Sequence, residues 1–324
     1  MLGSLAAAES ITWISILVKA LAYAATLLAG GSVLARIALR QTSEDGRASL
    51  RGTAIVAAVA AAVFSALRLP LRASFLMGGT WDGALDPMIL SLVADSPLGT
   101  SVALRLIGLA LILCVLLKAP VGQWLAALGA GLASASFALR GHALGDPQMI
   151  LGALITIHIL GLSYWVGAFA PLARSARFDP PARAGALAHE FGRQALWVVG
   201  LVVAAGGVSL ALLGAATPKA LTTAYGQMFL IKLIVFAGVL SLAAVNKLAL
   251  TPALCAAVPG AGARLRRSIG LEAALVALIL TITAALTTFS SPPSTHSGEN
   301  AVSSAASQTL SRAQTHHKGK SGPA

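Results

Sequence analysis

Apolar residues fall along this chain in eight blocks of about 20 or more, the length that crosses a hydrocarbon core of ~30 Å. They run over residues 11–35, 53–77, 98–118, 121–139, 148–173, 194–214, 226–250 and 268–289. Each block is continuous rather than alternating, so the pattern predicts helices and not the shorter, two-residue-period strands of a membrane barrel. The fold class that follows is all-α: a polytopic membrane helical bundle with eight transmembrane helices. Connections are mostly short, which leaves no room for an inserted soluble domain, and the two sets of four blocks show no convincing internal repeat. Residues 1–290 therefore read as one membrane domain. After Ser290 the chain turns to Ser, Thr, Gly, Pro and His, which offer too little apolar surface to fold. Residues 291–324 are expected to be a disordered polar C-terminal tail.

Composition agrees with this reading. Of 324 residues, 57% are hydrophobic and only 10% charged, against roughly a quarter charged in soluble domains, and the mean hydropathy is +0.83. The opening MLGSLAAAES lacks a basic n-region and the first block is too long for a signal h-region, so that block is expected to stay as the first span. Lys and Arg then set the orientation. The connections after blocks one, three, five and seven carry Arg36, Arg40, Arg47, Arg51, Lys118, Arg174, Arg177, Arg183, Arg193, Lys247, Arg264, Arg266 and Arg267; those after two, four and six carry Arg140 and Lys219. This bias places both termini outside, on the periplasmic or exterior side of a bacterial inner (plasma) membrane. The net charge of +12 is accounted for by the inner rim, so the expected partner is the anionic surface of the lipid bilayer and not nucleic acid. Cys114 and Cys255 fall on the reducing side, where no structural disulfide is expected.

Polar groups within the blocks are few and therefore informative. The stretch from 141 to 169 places His158 near its middle, about 14–16 Å below the outer end by helical rise. His142 is the other histidine beside membrane sequence; His189 is expected in a basic loop, and His296, His316 and His317 belong to the tail. The internal methionines Met77, Met88, Met149 and Met228 all fall at or near the outer face. Thioether and imidazole suit Cu(I), so the candidate metal ligands are His158, His142, Met149, Met228, Met77 and Met88, a relay descending from the outer face to the midplane. Met149 and His158 are nine residues apart and lie on opposite helix faces, so other helices must help if they are to share a site. A core histidine hydrogen bonded to a neighbouring helix, and methionines that merely pack, stand as the alternatives.

Five cations, Lys19, Arg68, Arg72, Arg105 and Lys232, also interrupt the blocks. They are expected to snorkel to the outer headgroups or to pair with Asp82, Asp86, Asp95 or Asp146, with the lining of an outer vestibule as the alternative. Glu272 is expected to pair with Arg266, Arg267 or Lys247. The Ala- and Gly-rich stretches LAALGAGLASASFAL and VVAAGGVSLALLGAA read as close helix packing. In the acidic outer connection from Gly78 to Pro97, MILSL is expected to form a short interfacial helix.

Several segments occur in a telling order: GGTWDGALDP and SPLGTSVALRLIG, then GHAL and HILGLSYWVGAF, then HEFGRQAL, YGQMFLIKLIVFAGVLSLAAVNKLALTP and LRRSIGLEAALVALILTITAAL. In that order and spacing, over most of residues 60 to 290, the sequence resembles the copper resistance D (CopD) family. The resemblance puts Arg105 at the family's arginine and places His142, His158, Trp165 and Gly167 on its GHA and His-to-Trp-Val-Gly positions. Arg266, Arg267 and Glu272 match its last span. The chain departs from the family pattern at Gly192, where serine is usual, and at Gln227 and Lys247, where arginine is. The resemblance implies an eight-helix copper-handling protein of the bacterial inner membrane, often working with a periplasmic copper-binding CopC-like partner, here expected to be a separate polypeptide.

The leading functional expectation is passage of copper ions from periplasm to cytoplasm, with the outer Met and His side chains receiving copper and His158 as the intramembrane ligand. No P-loop is present, so this chain would not drive transport with ATP, and no Ser/His/Asp or HExxH arrangement suggests an enzyme. A second reading is a b-type haem electron-transfer protein, with His142 and His158 as axial ligands and Lys19, Arg105 or Lys232 holding propionates. A third is a non-transporting membrane partner of a periplasmic copper chaperone, in which His158 is dispensable.

Overall fold

Local capping chemistry sets where the helices begin. Ser43 Oγ accepts from the Gly46 amide at 3.3 Å, and Glu44 and Asp45 follow in the first turn, where acidic groups meet unpaired N–H groups. Asp86 accepts from the amides of Met88 at 2.9 Å and Ile89 at 3.1 Å, ahead of a proline at the first helical position, whose missing N–H costs nothing there. Ser96 and Pro97 repeat the device ten residues later.

The computed structural model describes residues 10–79, 81–117, 119–139, 147–212 and 224–289. In chain order the helices are α1 (Ser10–Ala38), α2 (Glu44–Leu76), α3 (Trp81–Leu85), α4 (Pro87–Ala94), α5 (Pro97–Ile112), α6 (Pro120–Ala135), α7 (Gln148–Phe178), α8 (Pro181–Leu212), α9 (Ala224–Val245), α10 (Thr251–Cys255) and α11 (Ala261–Phe289). Short 3₁₀ turns, Leu113–Leu116 and Ser136–Leu139, prolong α5 and α6, and a π-helical segment, Asn246–Leu250, joins α9 to α10. Among the described residues eight helical stretches are long and apolar enough to cross a membrane: Ile11–Ala38, Glu44–Leu76, Pro97–Leu116, Pro120–Leu139, Gln148–Phe178, Pro181–Leu212, Gly226–Cys255 and Ala261–Thr288. All eight apolar blocks are thus helices, in an all-α bundle, and MILSL lies on the short helix α4. The polar tail from 291 to 324 lies outside the described residues.

Several helices run well past their apolar blocks at the arginine-rich end, where Arg47, Arg174, Arg177, Arg183 and Arg264 sit. One consequence is a correction: His189, expected in a loop, lies on α8, which starts at Pro181. Hydropathy marks only the lipid-immersed part of a helix, whereas here the polar prolongation is braced by its neighbours. Glu190 of α8 accepts from the backbone amides of Arg40 at 3.0 Å and Gln41 at 2.9 Å, just beyond α1.

Glycine sets the tightest helix crossings. A Cβ at Gly31 of α1 would lie 1.9 Å from the Ser163 carbonyl oxygen, and one at Gly167 of α7 would lie 2.0 Å from the Gly31 carbonyl carbon. Gly108 and Gly129 bring α5 and α6 into similar backbone contact. These are the close approaches that small residues permit between membrane helices, and Gly129 belongs to one of the two stretches read as packing surfaces. Around them lie two main apolar clusters. One joins α1 to α7, α8 and α11 through Leu27, Tyr164, Trp165, Leu187, Ile269 and Val276. The other, built mainly from Ala, Val and Leu, joins α1, α2, α5 and α6. Large apolar side chains such as Val56, Trp124 and Trp197 face outward, as a bundle surrounded by lipid requires.

Candidate functional site

His158 stands a third of the way along α7, partly buried, with Nδ1 2.9 Å from the Val202 carbonyl oxygen on α8. A carbonyl can only accept, so Nδ1 carries the hydrogen of the neutral ring and Nε2 keeps its lone pair. Gly206, one turn beyond Val202, makes the seat: a Cβ there would lie 3.4 Å from the imidazole Cε1 and Nδ1.

Seven residues on, two turns along the same face of α7 and about 10 Å further toward the arginine-rich end, comes Trp165. Its indole Nε1–H donates to Glu272 Oε2 of α11 at 3.3 Å. Asn246 Nδ2, at the start of the π-helical segment, donates to Glu272 Oε1. Glu272 is 3% exposed, and the expected ion pair with Arg266, Arg267 or Lys247 is not formed. Among the described residues the ion pair within 4.0 Å is Arg174 with Asp45, at 3.6 Å. Burial favours fixed neutral donors over long cationic side chains that would have to be desolvated with the carboxylate. Trp165, Asn246 and Glu272 border a cavity of about 350 Å³, otherwise lined mostly by apolar groups such as Phe169, Phe191 and Leu240, with Lys247 and Thr251 also on its wall. Lys247 methylenes pass Gly192, where a Cβ would lie 3.6 Å from Lys247 Cγ. The π-helical segment is tied off by Thr251 Oγ1, which donates to the Asn246 carbonyl at 2.8 Å. Such π segments recur at functional positions in helices.

The four methionines sit on four helices at the end opposite the arginines. Met77 caps α2, Met88 lies in the first turn of α4, Met149 in the first turn of α7 and Met228 near the start of α9. Met149 is 90% exposed while His158 packs on α8, the opposition that their spacing dictates. His142 lies outside the described residues. Among the described residues no group of three or more His, Cys, Asp or Glu side chains converges, so those residue types make no ready-made metal cage around His158.

The intramembrane cations divide. Arg72 is exposed and lies over the Phe75 ring at 5.4 Å, as a snorkelling side chain does. Lys19 Nζ donates to the Thr287 carbonyl at 3.1 Å, to Thr287 Oγ1 at 3.2 Å and to Thr288 Oγ1 at 2.7 Å, binding α1 to the end of α11. Arg68 and Arg105 correct the expectation. They are buried rather than snorkelling, and neither pairs with Asp82, Asp86 or Asp95; Asp146 lies outside the described residues.

Asn246, Tyr164 and Gln194 escaped the sequence reading as site residues. The Tyr164 hydroxyl donates to Gln194 Oε1, and Gln194 Nε2 donates to the Ala38 carbonyl at 3.1 Å, linking α7, α8 and α1. The available signal was the placement of Asn246 and Glu272 as polar residues bordering apolar runs. The seven-residue step from His158 to Trp165 pointed the same way.

Comparison with known proteins gives two matches. Residues 10–153 match the family described as Copper resistance protein D-like, N-terminal domain, and residues 185–286 match the family described as Copper resistance protein D. Neither the curated proteins nor the solved structures supply a match. Asn246 and Glu272 fall within the second matched segment, and His158 and Trp165 fall in the stretch between the two. Matched in order by both parts, the chain belongs to the copper resistance D family.

Proposed function

We propose that this copper-resistance membrane protein moves copper ions through its bundle from the outer face to the cytoplasm. Met77, Met88, Met149, Met228 and His142 receive the ion, and His158 is its ligand within the membrane. The observation that carries the reading is the His158–Val202 hydrogen bond. It fixes the ring, commits Nδ1 and leaves Nε2 as a free donor atom near the midplane. Cu(I), which accepts thioether and imidazole and has little need of hard oxygen ligands, is the form these side chains suit. On the same face of α7 the cavity beside Trp165 and Glu272 continues toward the arginine-rich end, which the positive-inside bias makes cytoplasmic. A periplasmic CopC-like copper-binding protein is the partner that would supply copper at the methionine end.

The test is copper accumulation in cells producing His158→Ala at the same membrane level as the unaltered protein. Accumulation should fall to the level of cells lacking the protein; unchanged accumulation would remove His158 from the pathway. The purified protein, loaded with copper, should lose bound metal in the same variant and show no Soret band. A Soret band would instead favour the haem reading.

A further inference from the structure

Arg68 of α2 is 5% exposed and Arg105 of α5 is 1% exposed, and among the described residues neither has an acid within 4.0 Å. Both address one aromatic ring. The Arg68 guanidinium carbon lies 5.5 Å from the Tyr23 ring centroid of α1 and that of Arg105 lies 6.0 Å from it. Because α1, α2 and α5 pack against one another pairwise, the two charges enter a common junction. Arg105 is held there. Its Nε donates to Ser136 Oγ at 2.9 Å, Ser136 Oγ donates in turn to the Ala133 carbonyl at 2.6 Å, and Ser101 Oγ donates to the Ser136 carbonyl at 2.7 Å. The Phe137 ring covers the guanidinium at 4.1 Å.

What this arrangement leaves over is uniform in kind. Arg68 Nη1, Arg105 Nη1 and Ser65 Oγ are buried without a hydrogen-bond partner, and Ser65 precedes Arg68 by three residues, on the same face of α2. Buried unpaired charge is strongly unfavourable, and aromatic faces return only part of the loss. One guanidinium nitrogen of each arginine and a hydroxyl, all able to donate, lack an acceptor. The missing chemistry is an anion.

We propose that Ser65, Arg68 and Arg105 form a site for a small monovalent anion, chloride or a carboxylate of formate size. The anion reaches the site from the methionine end. Arg68 and Arg105 each stand eight residues from that end of their helices, a depth of about 12 Å. The site does not depend on the copper pathway, but it answers a difficulty with it. Two uncompensated cations in that half of the bundle would repel an incoming copper ion, and a bound anion neutralises part of their field.

The experiment is thermal unfolding of the purified full-length protein in detergent. Chloride or formate is titrated into potassium gluconate at constant ionic strength, gluconate serving as an anion too large for the site. The unaltered protein should show a saturable rise in Tm of about 5 °C. Arg68→Gln and Arg105→Gln should lose at least half of that rise, and Lys232→Gln should keep it. In gluconate alone Arg105→Gln should unfold no lower than the unaltered protein, because the substitution removes an uncompensated charge. Should an arginine variant fail to fold, Ser65→Ala keeps both charges and should raise the half-saturating anion concentration several-fold. No saturable response to either anion overturns the proposal. So does a response that the arginine variants retain in full.

Discussion

The Trp165 indole donates a hydrogen bond to the Glu272 carboxylate at 3.3 Å, from the middle of α7 to the middle of α11. With Asn246 on the other oxygen, a buried acid is held by two neutral donors from two other segments of the bundle. Glu272→Ala should leave both donors unpaired and lower stability by about 2–3 kcal/mol, whereas Glu272→Gln, which keeps an acceptor for the indole, should cost about 1 kcal/mol. Unfolding of the two variants in one detergent gives the comparison, and equal losses would show that the charge, not the hydrogen bonding, is what the site needs.

A methyl group added where α1 crosses α7 has nowhere to go. Gly31→Ala would put a Cβ 1.9 Å from the Ser163 carbonyl oxygen, and overpacking of this kind costs about 1–3 kcal/mol or more. Gly131→Ala on α6 meets nothing within 4 Å and should leave stability unchanged within about 1 kcal/mol. The pair of variants, compared by unfolding temperature and by yield of monodisperse protein, separates a packing glycine from a permissive one.

Lys19 holds the final turn of α11 through the Thr287 carbonyl and the Thr287 and Thr288 hydroxyls. Lys19→Met should therefore speed amide exchange over residues 284–288 by about fivefold, the fraying expected when a helix end loses a cap worth ~1 kcal/mol. Exchange over residues 265–275 should not change, and a uniform increase along α11 would instead mean that the lysine supports the whole helix.

Orientation can be read from the two thiols. Cys255 is exposed and Cys114 partly buried, both free, and both lie at the arginine-rich end. A membrane-impermeant maleimide added to intact cells should label neither, and after permeabilisation it should label Cys255 faster than Cys114. Labelling of Cys255 in intact cells would invert the topology that the Lys and Arg bias implies.

Much of the bundle was legible because lipid imposes one rule on every span. A helix must be apolar for about 20 residues, and hydropathy records that directly. Beyond the lipid the rule lapses, which is why the polar start of α8 around His189 was misassigned to a loop. The methionines could be placed at one end by counting along the spans, but whether they meet could not, since that depends on helix rotation. The partner of His158 had no side-chain signature to find, because it is the Val202 backbone carbonyl. Glu272 misled for a related reason. Charge complementarity pointed to the nearby Arg266, Arg267 and Lys247, while burial selected the neutral donors Trp165, 107 residues away, and Asn246, 26 residues away.

The interlocked glycines of α1 and α7 also limit how the protein can move. With backbone pressed against backbone at Gly31 and Gly167, neither helix can slide or roll past the other without a collision, so the two behave as a rivet. His158 and Trp165 ride on α7 and are fixed to that immobile frame. Any opening and closing around them must come from the other helices, shifting about a stationary spine.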